Sequence, residues 1–252
     1  MHTQNYLYLS NKQLNTLSNH LLTSKTEQGG YIHASKNIIT NYSKKGIPYH
    51  ITTVDSIKKD TSNAEKDYIV IKNTEINYHS HPLSVYVEND CIVGQPSSED
   101  LIQCIDYAVN GYNRCHIVVT LEGIYLIKIC FVFIELFESL NKKIQEKIEK
   151  KIYNYFKQLH ICRRKDVAIR INYTPEKYVK VINTFKLKKI PGMCKYKKLL
   201  NCNPFHIYFH PSNFYLKYKK NMKQIKKNIL YNHDLHLVSN YDKNKPFFID
   251  IS

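Results

Sequence analysis

Apolar residues at the start of the chain fall into a short β pattern, Tyr6-Leu7-Tyr8-Leu9, and then change period. From Ser10 the apolar positions Leu14, Leu17, Leu21 and Leu22 recur at helical spacing, so the pattern predicts a strand followed by a Ser-capped helix. Gly29-Gly30 lead into an extended segment. Ile47 to Val54 suits a strand, with Pro48 marking its start or a sheet edge. The polar residues 55–67 read as a loop, and Tyr68 to Ile71 and Ile76 to His81 as strands, the second stopped by Pro82. A helix starts at Ser97 or Ser98, carries Leu101, Ile105, Ala108 and Val109 on one face, and closes at Asn110-Gly111. Cys115 to Thr120 and Gly123 to Ile129 follow as strands. One long helix is predicted from Ile134 to His160 on the stripe Leu140, Ile144, Ile148, Ile152, Phe156 and Leu159, supported by the Glu146/Lys150 pair.

Beyond residue 161 the pattern is sparser. Thr174-Pro175-Glu176 is a helix start, Asn203 to Phe209 suits a strand, and Lys217 to Tyr231 is a basic helical stretch. The mixed order predicts a three-layer α/β domain over residues 1–135, ending near residue 135 or within the next helix. Residues 136–252 are expected to form a basic, helix-rich region.

Charge sharpens that division. The 252 residues carry a formal net charge of +16. Residues 1–135 hold 11 Lys and Arg against 13 Asp and Glu, so the whole excess lies in residues 136–252, with 26 basic and 8 acidic groups. An AT-rich coding bias explains an abundance of Lys, Asn, Ile and Tyr, but bias alone raises both halves. The asymmetry points to an anionic partner for the second half, either nucleic acid or an acidic protein surface. Lys interleaved with Tyr and Phe, as in Tyr215-Leu216-Lys217-Tyr218-Lys219-Lys220, suits phosphate contact and base stacking, though a solvated helix face explains it at least as well. Seven cysteines, odd in number and without a C-x-x-C pair, argue for free thiols in a reducing compartment. The N-terminus lacks the pattern of a signal peptide, and the stretch Ile124 to Phe137 is too short and too charged to span a bilayer. An intracellular protein, cytoplasmic or nuclear and without membrane insertion, is expected.

Three segments carry candidate chemistry. His79-Ser80-His81-Pro82 places two imidazoles on one face of a strand, where both can reach one ion. Alone, an H-x-H pair is more often structural. Ser97-Ser98-Glu99-Asp100 is a helix cap, and a carboxylate on the first turn of a helix also serves as a well-held metal ligand. Glu27 precedes Gly29-Gly30, whose small size permits close backbone approach. Cys162, Cys194, Cys202 and His206 form a weaker metal candidate, because their gaps are wide and irregular.

Together the three segments resemble the JAMM (MPN+) zinc metalloprotease family, whose pattern is a Glu, then H-[ST]-H-P, then S-x-x-D. The resemblance covers roughly residues 5–135. It implies a JAMM/MPN-like (cytidine-deaminase-like) three-layer mixed sheet flanked by helices, here followed by a basic, largely helical C-terminal extension. It also implies that His79, His81 and Asp100 bind Zn2+, that Glu27 is the general base and that Ser97 assists the oxyanion. The implied substrate is an isopeptide conjugate of ubiquitin or a ubiquitin-like protein. One departure stands out: fifteen residues separate His81 from Ser97, where the family pattern has seven. Residues 83–96 therefore carry an insertion, expected as a surface loop near the metal, and Glu88 and Asp90 within it are alternative ligands. The competing readings are a metal-free MPN scaffold that binds partner proteins, an enzyme acting on another amide, and a nucleic-acid-binding protein working through its basic half.

Overall fold

The computed structural model describes residues 4–23, 25–43, 45, 47–60, 69, 71, 74–88, 93–111, 113, 115–165, 174–221, 224, 227, 231, 236 and 247–250. Its centre is one mixed sheet of eight strands: β1 (Gln4–Leu9), β2 (Gln28–Tyr42), β3 (Pro48–Asp60), β4 (Ile76–Ser80), β5 (Cys115–Val119), β6 (Gly123–Ile129), β7 (Phe205–Pro211) and β8 (Phe247–Asp250). They lie in the order β7-β6-β5-β4-β2-β3-β1-β8. Two pairs are parallel, β1 with β3 and β4 with β5, and the others are antiparallel. The sheet curls enough that His210 of edge strand β7 packs on Phe247 of edge strand β8, with ring centroids 4.3 Å apart.

Alternation along β5 and β6 divides the core between two faces. Cys115, Ile117, Val119, Ile124 and Leu126 face a cluster that includes Leu14 and Leu17 of helix α1 (Asn11–Thr23). Val118, Tyr125 and Ile127 face the opposite way, into a larger cluster with helices α3 (Ser98–Val109), α4 (Phe131–Glu138) and α5 (Lys142–Lys165). Helix, sheet and helices thus form three layers. Ser10 and Gln13 cap α1 reciprocally, and the Gln13 amide donates to the Val54 carbonyl at 2.7 Å, tying the helix to β3.

The larger core runs across residue 135. Helix α6 (Pro175–Asn183) packs on β7 through Tyr178 and Ile182, and Phe205 and Ile207 of β7 belong to the same cluster as Leu101 and Val118. Residues 205–211 and 247–250 of the basic half supply both edge strands. A short helix α7 (Asn213–Tyr218) follows β7. Among the described residues no helix is long and apolar enough to cross a membrane.

Three local expectations change. The single helix expected from Ile134 to His160 is two helices, because Asn141 interrupts it: its side chain accepts the Ile144 N–H at 3.1 Å and starts α5 afresh. Residues 55–60, expected as loop, continue β3, since pairing with β2 satisfies their backbone whatever their side chains. The inserted segment is more than a surface loop, for it forms helix α2 (Leu83–Glu88) with Tyr86 buried at 1 % exposure. Helix α7 covers the start of the basic stretch Lys217 to Tyr231, of which residues 222, 223, 225, 226 and 228–230 lie outside the described residues.

Strand β2 lies between β3 and β4, and Gly29-Gly30 lets it fit. A methyl group at Gly30 would run into the Lys58 carbonyl on β3, and one at Gly29 would meet the Tyr78 carbonyl and Ile71. Gly30→Ala is expected to destabilise the fold by about 1–3 kcal/mol or more, because backbone and not a pliable side chain opposes the new atom. Denaturant unfolding of the variant beside wild type measures it.

Candidate metal centre

The pairing register assembles the centre. Gly29 lies opposite His79 and Gln28 opposite Ser80 on the antiparallel β2–β4 pair. Glu27, one residue before β2, therefore comes alongside His81, one residue after β4. Helix α3 brings its first turn to the same place, with Asp100 at the third helical position.

His79 Nε2 and His81 Nε2 are 3.0 Å apart. The Asp100 carboxylate reaches them at 3.2 Å through Oδ1 and 3.4 Å through Oδ2. One ligand atom each of Glu27, His79 and His81 lies within 4.8 Å of the others, and this group can hold a metal ion. Both histidines and Asp100 are buried, while Glu27 is half-buried and keeps a side toward solvent.

Hydrogen bonds fix which nitrogens carry protons. His81 Nδ1 faces the Gly94 carbonyl oxygen at 2.6 Å, an atom that only accepts, so Nδ1 carries the hydrogen. His116 Nδ1 donates to Asn77 Oδ1, which leaves His116 Nε2 to accept from His79 Nδ1 at 2.6 Å. In neutral rings each Nε2 then presents a lone pair to the other and to the Asp100 carboxylate. Three acceptors at 3.0–3.4 Å repel one another unless a proton or a metal cation sits among them. Zinc–nitrogen and zinc–oxygen bonds of about 2.0–2.1 Å at a tetrahedral angle place ligand atoms about 3.3 Å apart. The observed spacings match that edge.

Titration behaviour agrees with a cation-seeking site. Burial alone would push His81 down, but the hydrogen bond and charge of Asp100, the charge of Glu27 and the Gly94 carbonyl raise it to about 9. Burial would push Asp100 up, yet the charges and hydrogen bonds of His79 and His81 hold it well below the usual carboxylate range. His116 is driven well below the ordinary histidine value, by burial first and then by the charge of His79. It remains neutral, as an acceptor for His79 must.

Ser97 caps α3. Its Oγ accepts the Asp100 N–H at 3.1 Å, and Asp100 Oδ2 accepts the Ser97 N–H at 2.6 Å. This capping box locks the carboxylate and leaves the Ser97 hydroxyl proton available to donate. The basic half buttresses the same turn: Tyr178 Oη donates to the Pro96 carbonyl at 2.9 Å and Tyr153 Oη to Glu99 at 2.8 Å.

All five residues singled out in the sequence, Glu27, His79, His81, Ser97 and Asp100, thus meet at one end of β4. Of the alternative ligands in the insertion, Asp90 and the Glu88 side chain lie outside the described residues. Among the described residues, Cys194, Cys202 and His206 belong to no metal-capable cluster, and the Cys162 side chain lies outside them. Sequence reasoning missed Asn77, His116, Gly94 and Glu122. A signal for the first lay in Asn77-Tyr78-His79-Ser80-His81, whose period of two puts Asn77 on the His79 face. His116 is visible only once β5 is known to pair with β4. No known protein family, curated protein or solved structure matches the chain.

Proposed function

We propose that the chain is a zinc-dependent isopeptidase of the JAMM/MPN type, with ubiquitin or a ubiquitin-like conjugate as its substrate class. The observation that carries the reading is the convergence of two tautomer-locked Nε2 lone pairs and the Asp100 carboxylate, with Glu27 beside them. The same two-His, one-carboxylate donor set also suits ferrous iron. A second carboxylate placed as a base, and the H-S-H-P and S-S-E-D segments, favour hydrolytic zinc chemistry.

His79, His81 and Asp100 would hold the metal. Zinc, when bound, lowers the pKa of water toward about 7 and polarises a carbonyl. Glu27, half-buried and open to one side, accepts a proton from the attacking water and returns it to the leaving amine. Ser97 donates its hydroxyl proton to the oxyanion as the carbonyl carbon becomes tetrahedral. The outer partners Asn77, His116 and Gly94 hold both imidazoles in the ligating tautomer.

Zinc-loaded protein incubated with isopeptide-linked ubiquitin and ubiquitin-like conjugates tests the reading. Cleavage that a chelator stops and zinc restores supports it. Turnover of none of these substrates by a zinc-replete protein leaves the scaffold or another amide as the better account.

The basic half supports an additional contact in the same proposal. Residues 177–233 contain 14 lysines and no acidic residue. Lys186, Lys188, Lys189, Lys195, Lys197 and Lys198 are exposed, while the interleaved Leu187, Ile190, Met193 and Leu199 are buried in the larger core. A rigid basic surface of this kind fits an anionic partner, and binding that weakens steeply with added salt is its signature.

A further inference from the structure

Glu122 is buried at 3 % exposure in the turn between β5 and β6, and the reaction described above makes no use of it. Its carboxylate accepts three donors. Tyr86 Oη donates to Oε2 at 2.8 Å, Tyr125 Oη to Oε1 at 3.0 Å, and the Gly94 N–H lies 2.9 and 3.1 Å from the two oxygens. Two of these donors, Tyr86 and Gly94, come from the inserted segment 83–96. Tyr86 is anchored again at the same turn, because its hydroxyl oxygen accepts the Leu121 N–H at 2.9 Å. Gly94 is required there, since a methyl group on it would collide with the Tyr86 hydroxyl. The carbonyl of that same residue accepts the His81 Nδ1–H at 2.6 Å.

We infer that Glu122 is a positioning residue for the metal centre, clamping the inserted segment through Tyr86 and Gly94 so that the Gly94 carbonyl fixes the tautomer and ring orientation of His81. This rests on the metal-site reading above. The action is geometric: the Gly94 N–H and its carbonyl belong to different peptide units, so the carboxylate sets where the acceptor sits without polarising it directly. A carboxylate suits the task because three donors converge on it. A glutamine there would turn an N–H toward one of them whichever way it lay. The insertion is therefore part of the centre, occupying for His81 the place that His116 occupies for His79.

The test uses full-length metal-free protein titrated with Co2+ and Zn2+ against a competing chelator, with the Co2+ absorption bands as a second readout of ligand geometry. Glu122→Gln and Tyr86→Phe are expected to weaken metal affinity by about 10–100-fold, the usual effect of losing an outer partner of a ligating histidine, and to shift the Co2+ bands. Ser212→Ala is the matched control. Its hydroxyl donates to the Leu121 carbonyl at 2.9 Å and supports the same turn without touching Gly94. Tyr86→Phe keeps the packed ring and covers the case in which Glu122→Gln folds poorly. Affinity that falls in the two clamp variants and holds in Ser212→Ala supports the inference. Affinity unchanged in the clamp variants, or lowered equally in all three, overturns it while leaving the metal site standing. Wild-type protein that binds neither ion overturns both.

Discussion

Glu27→Gln is expected to lower amide hydrolysis by about 10²–10⁴-fold, the range of a general base, while metal binding persists. The expectation follows from where Glu27 sits. It comes alongside His81 at the mouth of the centre, with a carboxylate oxygen within 4.8 Å of both imidazoles. Asp100 meets the same nitrogens at 3.2 and 3.4 Å from the helix side. On the proposed function the two carboxylates divide the work: the buried one would complete the ligand set, and the half-buried one would exchange protons with water. Glutamine keeps the size of Glu27 and removes its basicity. Single-turnover cleavage by wild type and variant, each with its metal content measured, reads the two effects separately. Loss of metal along with activity would move Glu27 into the ligand set and leave the base unidentified.

Asp100→Asn is expected to act on binding itself. It removes the only negative charge among the three donors whose mutual repulsion a cation relieves, and should weaken metal affinity by more than the 10–100-fold typical of outer partners. Activity at limiting zinc falls with it. The fold should survive, because an asparagine oxygen can still accept the Ser97 N–H and the capping box keeps the Ser97 half of its exchange. Chelator competition gives the affinity, and denaturant unfolding of the metal-free proteins separates it from stability.

How much of this was legible in the sequence differs from part to part. The two histidines and the capped Asp100 stood out because strand and helix periods dictate which side chains share a face. Strands β5 and β6 were readable because each is short, largely apolar and bounded by turn residues, and β4 because it is short, buried and stopped by Pro82. The proton-fixing network was hidden. His116 meets His79 across 37 residues of chain, and only the parallel β4–β5 register, which sets His116 beside Asn77, brings them together. Glu122 falls between two predicted strands, and nothing local announces that Tyr86 and Gly94 converge on it. The extent of β2 and β3 was hidden differently. Asp55-Ser56-Ile57-Lys58-Lys59-Asp60 looks like loop by composition, yet pairing with β2 makes it strand. The strand expected at Asn203 to Phe209 is there as β7, but its place in the same sheet as β1 to β6 was hidden, because element order and net charge set the second half apart and neither speaks of strand pairing.

The most direct test of the central claim is the metal content of the purified protein, wild type beside a His79→Ala/His81→Ala double variant. The account predicts about one zinc per chain in wild type and none in the variant, with both proteins folded. Well-folded wild type that takes up no zinc even when zinc is supplied would contradict it, and would leave the convergence of His79, His81 and Asp100 as a proton-sharing cluster in a protein-binding scaffold.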